Sequence, residues 1–224
     1  MKTIVLVSGG MDSLVCAAEA AASGAELFFL HMNYGQKTSV KERWSFDKIA
    51  DHYKVGQSNR KIIDMSFLKQ IGGSSLTDDS IKVKDYAGDS KDIPSSYVPF
   101  RNSIILSLAV SWAEAVGAEK LMIGANYEDS PGYPDCRPAY YDAFNKVVEL
   151  GSKDGKIKVE TPVLRLRKSE IVARGKALKA PFELSWSCYA SGDKACGLCD
   201  SCALRLRGFK ENGMVDPIAY QTKE

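Results

Sequence analysis

A glycine-rich turn near the start of the chain has the residue types of an anion site. Residues 8–13 read Ser-Gly-Gly-Met-Asp-Ser. They separate an apolar run at residues 4–7, typical of a buried strand, from an alanine-rich run at residues 14–22 with high helix propensity. Glycines let the backbone approach a ligand, and the N–H groups and dipole at a helix N-terminus favour negative charge. The pattern predicts a phosphate-binding loop, although such a junction can also carry capping residues without any ligand.

The turn differs from the Walker motif because no Gly-Lys-Ser/Thr closes it. It resembles the SGGxDS loop of the PP-loop ATP pyrophosphatases, enzymes that cut ATP between its α and β phosphates. This resemblance implies catalytic roles for Asp12 and Ser13 and a Mg²⁺ ion on the phosphates, with Asp12 as a direct or water-mediated ligand. The predicted ATP-binding residues of the turn are Ser8, Gly9, Gly10, Met11, Asp12, Ser13 and Leu14.

Four cysteines close to the C-terminus form the second cluster of chemical interest. Cys188, Cys196, Cys199 and Cys202 lie within 15 residues, and the last three form two overlapping Cys-x-x-Cys steps. In a chain with reduced thiols this spacing favours metal ligands over disulfides, and four thiolates are typical of a closed structural Zn²⁺ site. An iron–sulfur cluster is the alternative, since ferredoxins use similar spacing. Cys16 lies in an apolar run and is predicted to be a core residue.

Alternating strand and helix patterns predict the scaffold that positions these residues. The predicted strands are residues 4–7, 26–31, 60–64, 120–125 and 159–164, and the predicted helices are residues 14–22, 37–54, 100–117, 138–150 and one with Ser169 as its N-cap. In the second helix the expected apolar stripe is Trp44, Phe46, Ile49, Ala50 and Tyr53. The pattern predicts an α/β fold with a doubly wound, mostly parallel sheet over residues 1–180 and a small zinc-binding helical module over residues 181–224.

Ligands of such sheets lie at the carboxyl ends of the strands, so the polar residues there are site candidates. Arg101 and Asn102 open a helix where a phosphate or purine would fit, and helix capping by Asn102 with Arg101 in solvent is the alternative. Lys168 is placed to reach phosphates, although a solvated lysine is the default, and His31 is more simply structural. Residues 66–98 form a long polar stretch with little periodicity, which predicts a partly ordered cover near the substrate. The residues expected to bind the acceptor substrate are Tyr34, Gln36, Asn126, Asp129, Tyr133, Asp135 and Arg137, although a Pro/Gly-rich turn with surface charges would explain the last four as well.

Motifs along nearly the whole chain resemble the 7-cyano-7-deazaguanine synthase family of the queuosine pathway. Besides residues 8–13 and the cysteines, they are Asn-Tyr-Gly-Gln at 33–36, Val-Pro-Phe-Arg-Asn at 98–102, Gly-Tyr-Pro-Asp-Cys-Arg at 132–137, Lys-Ser-Glu-Ile at 168–171 and Trp-Ser-Cys-Tyr at 186–189. The resemblance implies conversion of 7-carboxy-7-deazaguanine to the nitrile with ATP and ammonia, through adenylated intermediates. It further implies ATP contacts from Arg101, Asn102 and Gly124, a catalytic Lys168, and a homodimer.

Three other functions fit parts of the pattern. They are a PP-loop enzyme that modifies tRNA, a relative that attaches a deazaguanine to a protein, and a nucleotide-binding scaffold without activity. No added RNA-binding module or glutaminase domain is apparent in 224 residues, so free ammonia is the expected nitrogen source.

Composition and charge limit the cellular compartment and the kinds of binding partner that we expect for this chain. The chain is 45% hydrophobic and 26% charged, and no signal peptide or run of 18 apolar residues is apparent, so we expect a cytoplasmic protein without a membrane partner. The net charge of +2 is too small to indicate nucleic-acid binding. The C-terminal third is more basic than the rest, which we interpret as solvated helix faces and phosphate-binding side chains rather than an RNA surface.

Overall fold

A parallel sheet forms the centre of the computed structural model, which describes residues 1–78, 80–82, 93–127 and 133–221. In these ranges the sheet has five strands, all parallel, in the order β3-β2-β1-β4-β5. The strands are β1 (Lys2–Leu6), β2 (Glu26–Asn33), β3 (Arg60–Asp64), β4 (Lys120–Ile123) and β5 (Lys158–Glu160). The strand order reverses at β1, so the crevice between β1 and β4 is where a doubly wound sheet binds ligands. The predicted parallel fold is confirmed.

Helices cover both faces of this sheet. They are α1 (Met11–Ala22), α2 (Ser39–His52), α3 (Leu68–Ile71), α4 (Arg101–Val116), α5 (Pro138–Gly151), α6 (Lys168–Ala177) and α7 (Asp200–Glu211). Side chains alternate along β1: Ile4 and Leu6 join a core with α4 and α5, whereas Val5 joins a core with α1, α2 and α6. Each large apolar side chain buried in this way contributes about 1.5–3 kcal/mol. The near-continuous apolar strands are therefore explained by burial on two faces.

Three local predictions are wrong for identifiable reasons. The last predicted strand, residues 159–164, ends at Glu160 because Pro162 has no N–H for the ladder and a turn follows it. The N-cap of α6 is Arg167 rather than Ser169, and the Arg167 N–H donates to Glu170 Oε2 at 2.7 Å. Trp44 is 41% exposed, since it lies two residues from the buried Phe46 and thus on the opposite side of α2.

The C-terminal residues pack onto the α/β part through α7. Phe209 of α7 belongs to the same core as α1 and α6, and its ring lies 5.2 Å from that of Phe182. Arg205 of α7 forms a fully buried ion pair with Asp216, donating at 2.6 and 2.9 Å to the two carboxylate oxygens. Because α7 shares a core with the preceding residues, this packing does not mark a boundary at residue 180. That boundary stays a prediction.

Within the described ranges, the structure contains no helix of the length and apolar character that a membrane span requires.

Candidate functional site

The carboxyl ends of β1 and β4 border a cavity of about 220 Å³. The sequence-predicted site residues that line it are Ser8, Gly10, Met11, Asp12, Ser13, Tyr34, Arg101, Asn102, Gly124, Asn126, Tyr133 and Lys168. Residues from six separate stretches of the chain therefore meet at the position where the strand order reverses, as the strand-end argument predicted. Gly9, Leu14, Gln36, Asp135 and Arg137 do not line the cavity, and Asp129 lies outside the described residues.

The glycine-rich turn is shaped by its own hydrogen bonds. The Gly10 N–H donates to Ser8 Oγ at 3.2 Å, and Ser13 Oγ donates to the Gly10 carbonyl at 2.9 Å. Gly9 has φ +94°, a conformation that side chains rarely adopt, and a Cβ there would lie 2.8 Å from the Glu42 carbonyl oxygen. The Trp186 N–H donates to the Gly9 carbonyl at 2.8 Å. The turn is thus held from both the α2 side and the C-terminal side.

Gly124 lets the end of β4 pack directly against this turn. A Cβ at Gly124 would lie 2.6 Å from the Ser13 nitrogen and 2.8 Å from the Asp12 carbonyl carbon. Backbone atoms cannot yield as a flexible side chain can, so a Gly124→Ala substitution must displace the turn. Gly124 therefore contributes a close backbone approach instead of a hydrogen-bonding side chain.

We expect Gly124→Ala to lower the free energy of unfolding by about 1–3 kcal/mol, the usual cost of overpacking. Urea denaturation followed by circular dichroism measures this change. Gly151→Ala is the matched control, because Gly151 ends α5 and a Cβ there would meet no atom within 4 Å. An unaltered Gly124→Ala stability would show that the turn tolerates the displacement.

Asp12 and Lys168 form the central ion pair of the cavity. Lys168 Nζ donates to Asp12 Oδ2 at 2.6 Å, and the two side chains are 5% and 15% exposed. The two residues open α6 and α1, so two helix N-termini converge here. Asp12 Oδ1 is buried and accepts no hydrogen bond from the described residues. A carboxylate oxygen in this state fits a Mg²⁺ ligand, since Mg²⁺ binds through one or two carboxylates together with phosphate oxygens.

Arg101 and Asn102 occupy different positions at the start of α4. Arg101 Nη1 donates to the Tyr34 hydroxyl at 3.1 Å, and its guanidinium lies 5.2 Å from the centre of the Tyr34 ring. Burial raises the pKa of Tyr34 to about 12, so the hydroxyl stays protonated. Asn102 instead donates through its N–H to Asp135 Oδ2 at 3.3 Å and through its amide to the Asp135 carbonyl at 3.2 Å. Asp135 thus accepts from the first turn of the helix, the role that sequence reasoning gave to Asn102.

Several other predicted substrate residues are engaged with the protein itself. Asn126 donates to the carbonyls of Val163 and Leu166 at 2.8 and 2.7 Å, which ties β4 to the loop before α6. Gln36 is buried and accepts from the Tyr34 N–H at 3.0 Å. Arg137 is exposed at the N-cap of α5. Their assignment to the acceptor substrate stays a prediction, and only Asn126 of these three reaches the cavity wall.

Tyr133 connects the cavity to the long polar stretch before α4. Its hydroxyl lies 2.8 Å from Ser96 Oγ, and its ring packs edge-on against Tyr97 at 5.2 Å. The C-terminal end of the 66–98 stretch thus reaches a cavity-lining residue, which is consistent with the predicted cover. Residues 79 and 83–92 of that stretch lie outside the described ranges.

His31 and Cys16 have the structural roles expected of them. His31 is 1% exposed, its Nδ1 lies 2.9 Å from the Val7 carbonyl oxygen, and burial lowers its pKa. Cys16 of α1 is fully buried in the core, and burial raises the pKa of its thiol far above the usual range. Neither residue lines the cavity.

Glu42 is a cavity-lining residue that sequence reasoning did not select. Its carboxylate accepts from Thr38 Oγ1 and from Gln36 Nε2, both at 2.7 Å, and burial raises its pKa. A glutamate in the first turn of a helix usually faces water, so its residue type gave no signal. Trp186 and Tyr189, which belong to a family motif but had no assigned role, also line the cavity.

The four C-terminal cysteines form a candidate metal centre. The Sγ atoms of Cys188, Cys196, Cys199 and Cys202 all lie within 4.8 Å of one another. A tetrahedral Zn²⁺ with bonds of about 2.3 Å places its sulfurs about 3.8 Å apart, and the Cys196 and Cys202 sulfurs lie 3.9 Å apart. Hydrogen bonds from the Cys199 and Cys202 thiols hold the pKa of Cys188 well below its usual range. The predicted ligand set is therefore brought together around one point.

The sheet order and the turn after β1 define a PP-loop-like α/β protein, and solved structures share this fold. The U34-tRNA thiolase NcsA from Methanococcus maripaludis, solved with its [4Fe-4S] cluster, is 16% identical with a TM-score of 0.51, covering 95% of this chain and 67% of its own. A predicted subunit of tRNA methyltransferase from Methanocaldococcus jannaschii is 15% identical with a TM-score of 0.50, covering 100% and 94%. At such identities the likeness concerns the fold alone.

Sequence comparisons define the family more closely. The model of the queuosine biosynthesis protein QueC matches residues 2–213, so the chain belongs to the QueC family. A 7-cyano-7-deazaguanine synthase from Chlorobium phaeobacteroides (strain DSM 266) is 57% identical over 224 residues, which is 100% of this chain and 98% of the relative. The synthase of the same name from Chlorobaculum tepidum is 54% identical over 226 residues, with the same coverage of both chains. The family resemblance read from the motifs is confirmed.

Proposed function

We propose that the protein is a 7-cyano-7-deazaguanine synthase of queuosine biosynthesis. It would convert 7-carboxy-7-deazaguanine, ATP and ammonia into the nitrile. Membership of the QueC family and relatives of that name over the whole chain support this proposal. The structural observation that carries it is the cavity in which the turn 8–13, the Asp12–Lys168 pair and the Tyr34–Arg101 pair meet.

Activation of the acid is the first step of the proposed reaction. A carboxylate is a poor electrophile, so one of its oxygens attacks the α phosphorus of ATP and pyrophosphate leaves. The backbone N–H groups at the start of α1 and the Lys168 ammonium would stabilise the charge that develops on the leaving group. Mg²⁺ bound at Asp12 would neutralise phosphate charge. Asp12 also holds Lys168 in position through their ion pair.

Nitrile formation then requires two further displacements. Ammonia attacks the acyl adenylate and releases AMP, which gives the amide. The amide oxygen is adenylated in turn, and loss of AMP with two protons gives the nitrile. Both steps depend on positioning and on exclusion of water, because water competes for each adenylate. The aromatic wall of Tyr34, Tyr133, Trp186 and Tyr189 suits this requirement and a flat heterocyclic substrate.

The cysteine cluster has a structural role in this proposal. Four thiolates saturate a tetrahedral Zn²⁺ and leave no open position for a reactant. The residues that would hold the ion form a small core with Trp186 and Ala195, and Trp186 contacts the glycine turn through its backbone. We further propose a cytoplasmic homodimer that acts on small molecules without direct nucleic-acid contacts. Light scattering of the purified protein, with and without tRNA, tests both of those partner assignments.

A direct assay tests the proposed activity. Purified metal-loaded protein is incubated with 7-carboxy-7-deazaguanine, ATP, Mg²⁺ and ammonium chloride, and AMP and the nitrile are quantified by liquid chromatography with mass spectrometry. We expect two AMP per nitrile. When ammonia is omitted, we expect only the first activation, which depends on the acid. Absence of AMP and nitrile would contradict the proposal. Appearance of a deazaguanine adduct on tRNA or protein would favour one of the two alternative PP-loop functions.

A further inference from the structure

The half-buried Glu42 carboxylate in the cavity wall has no part in the proposed reaction steps. Glu42 lines the same cavity as Ser8 and Asp12, and it belongs to the first turn of α2. Its two oxygens each accept one hydrogen bond at 2.7 Å, from Thr38 Oγ1 and from Gln36 Nε2. Both donors are neutral. Each carboxylate oxygen has two lone pairs, so half of the acceptor capacity of Glu42 remains for a ligand.

The charge environment of Glu42 is incomplete without a cation. In the described part of the chain no lysine, arginine or histidine nitrogen forms an ion pair with it. The positive charge of Arg101 acts on Glu42 and favours its ionised form, but the Arg101 guanidinium donates its hydrogen bond to the Tyr34 hydroxyl. A carboxylate withdrawn from water without a charged partner is costly, and burial raises the pKa of Glu42, which makes the carboxylate a better base. These properties suit a small, protonated, hydrogen-bonding reactant.

We propose that Glu42 binds the ammonium ion and accepts a proton from it, so that neutral ammonia is released beside the acyl adenylate. This inference rests on the proposed function and assigns the step that function leaves open. Ammonium is the main form of the reactant near neutral pH, and it has no lone pair with which to attack. The Glu42 carboxylate, with one acceptor position left on each oxygen, supplies both the binding charge and the base.

The proton and electron balance of the step is simple. Ammonium transfers one proton to Glu42 and becomes ammonia. The ammonia lone pair forms the new carbon–nitrogen bond, and the electron pair of the carbon–oxygen bond to the phosphate leaves with AMP. The nitrogen loses its second proton to the departing AMP, whose phosphate is now a dianion. Glu42 returns its proton to solvent when the product leaves, and the amide is neutral.

Hydroxylamine separates this role from a structural one. It is a much weaker base than ammonia, so it is unprotonated at neutral pH and attacks an acyl adenylate without a proton acceptor to activate it. We expect Glu42→Gln to retain acid-dependent exchange of pyrophosphate into ATP within about twofold. Ammonia-dependent amide formation should fall by about 10²–10⁴-fold, the usual contribution of a general base. Hydroxamate formation with hydroxylamine should stay within a few-fold of the wild-type rate.

Two further variants control for folding. Thr38→Val removes one hydrogen bond to Glu42 and leaves the carboxylate, so the ratio of ammonia to hydroxylamine rates should change by less than about tenfold. If Glu42→Gln does not fold, Glu42→Asp keeps the charge at a shorter reach and should raise KM for ammonium with pyrophosphate exchange unchanged. Equal losses with ammonia and hydroxylamine would overturn the role of Glu42, as would an unchanged ammonia rate. Failure of wild-type pyrophosphate exchange would instead overturn the proposed function, and this inference with it.

Discussion

The Asp12→Ala variant is expected to lose AMP formation by about 10³-fold while remaining folded. This is the order of effect seen when one preorganised electrostatic group is removed from an active site. Asp12 holds the Lys168 ammonium at 2.6 Å, and its second oxygen is the open acceptor proposed for Mg²⁺. Loss of the carboxylate therefore removes two contributions at once. Chromatographic measurement of AMP from ATP and the acid, together with circular dichroism of the variant, checks both parts of the prediction.

A second ion pair between the same two helices provides a matched control. Arg174 of α6 donates to Glu19 of α1 at 2.7 Å, but these side chains are 38% and 28% exposed and neither lines the cavity at Asp12. Glu19→Ala should therefore cost no more than about 1 kcal/mol and leave the AMP yield within twofold. Asp12→Asn, which keeps the size of the side chain, distinguishes loss of charge from loss of packing. Normal turnover of Asp12→Ala would remove the site assignment altogether.

Residue spacing predicted the members of this site but not how they pair. Asp12 and Lys168 are 156 positions apart, and each was selected from its own local pattern at a helix start. The rule that strands of a parallel sheet end at one edge predicted that they share that edge. The 2.6 Å contact between them depends on how α6 lies against α1, and local patterns contain no information on that packing.

One cause explains why sequence reasoning did not select Glu42 and did not foresee the hydrogen bonds of Asp135 and Asn126 within the protein. Hydrogen-bonding capacity is visible in a sequence, but the partner that uses it is not. Asp135 and Asn126 have the side chains of ligand-binding residues, and the fold uses both for its own backbone. Glu42 has the side chain of a solvated helix start, and the fold half-buries it beside the glycine turn. Only tertiary packing decides between these outcomes.

The candidate metal centre could be predicted because its residues are close together in the sequence. Its four ligands lie within a short segment, so local spacing alone restricts how far apart the sulfurs can be. The connection of that segment to the cavity was not predictable. It depends on the Trp186 N–H bond to Gly9 and on the buried Arg205–Asp216 pair, which anchors α7 beneath the cysteines. A change at the cysteine cluster should therefore alter the conformation of the glycine turn.

The Cys199→Ser variant is expected to be insoluble or free of metal. Cys199 is 2% exposed and is the N-cap of α7, so one of the four clustered thiols lies at the start of the helix that bears Arg205. Binding of a structural Zn²⁺ contributes about 10–16 kcal/mol in small zinc domains, as much as the whole stability of a typical protein. A serine hydroxyl does not replace a thiolate ligand. Elemental analysis of the soluble fraction measures zinc and iron per chain, and limited trypsin digestion tests whether residues 186–221 have become accessible.

Cys16→Ala is the control for this experiment, because Cys16 is the fully buried cysteine on α1 and belongs to a different core from the four clustered thiols. It should keep one zinc per chain and resist trypsin like the wild type, at a cost of about 1–2 kcal/mol for the lost sulfur. Iron with acid-labile sulfide in the wild-type protein would show that the four cysteines hold an iron–sulfur cluster and not zinc. One zinc per chain in a soluble Cys199→Ser protein would instead exclude Cys199 as an essential ligand. Because Trp186 holds Gly9, we expect metal loss to reduce AMP formation as well, even though no thiolate takes part in the chemistry.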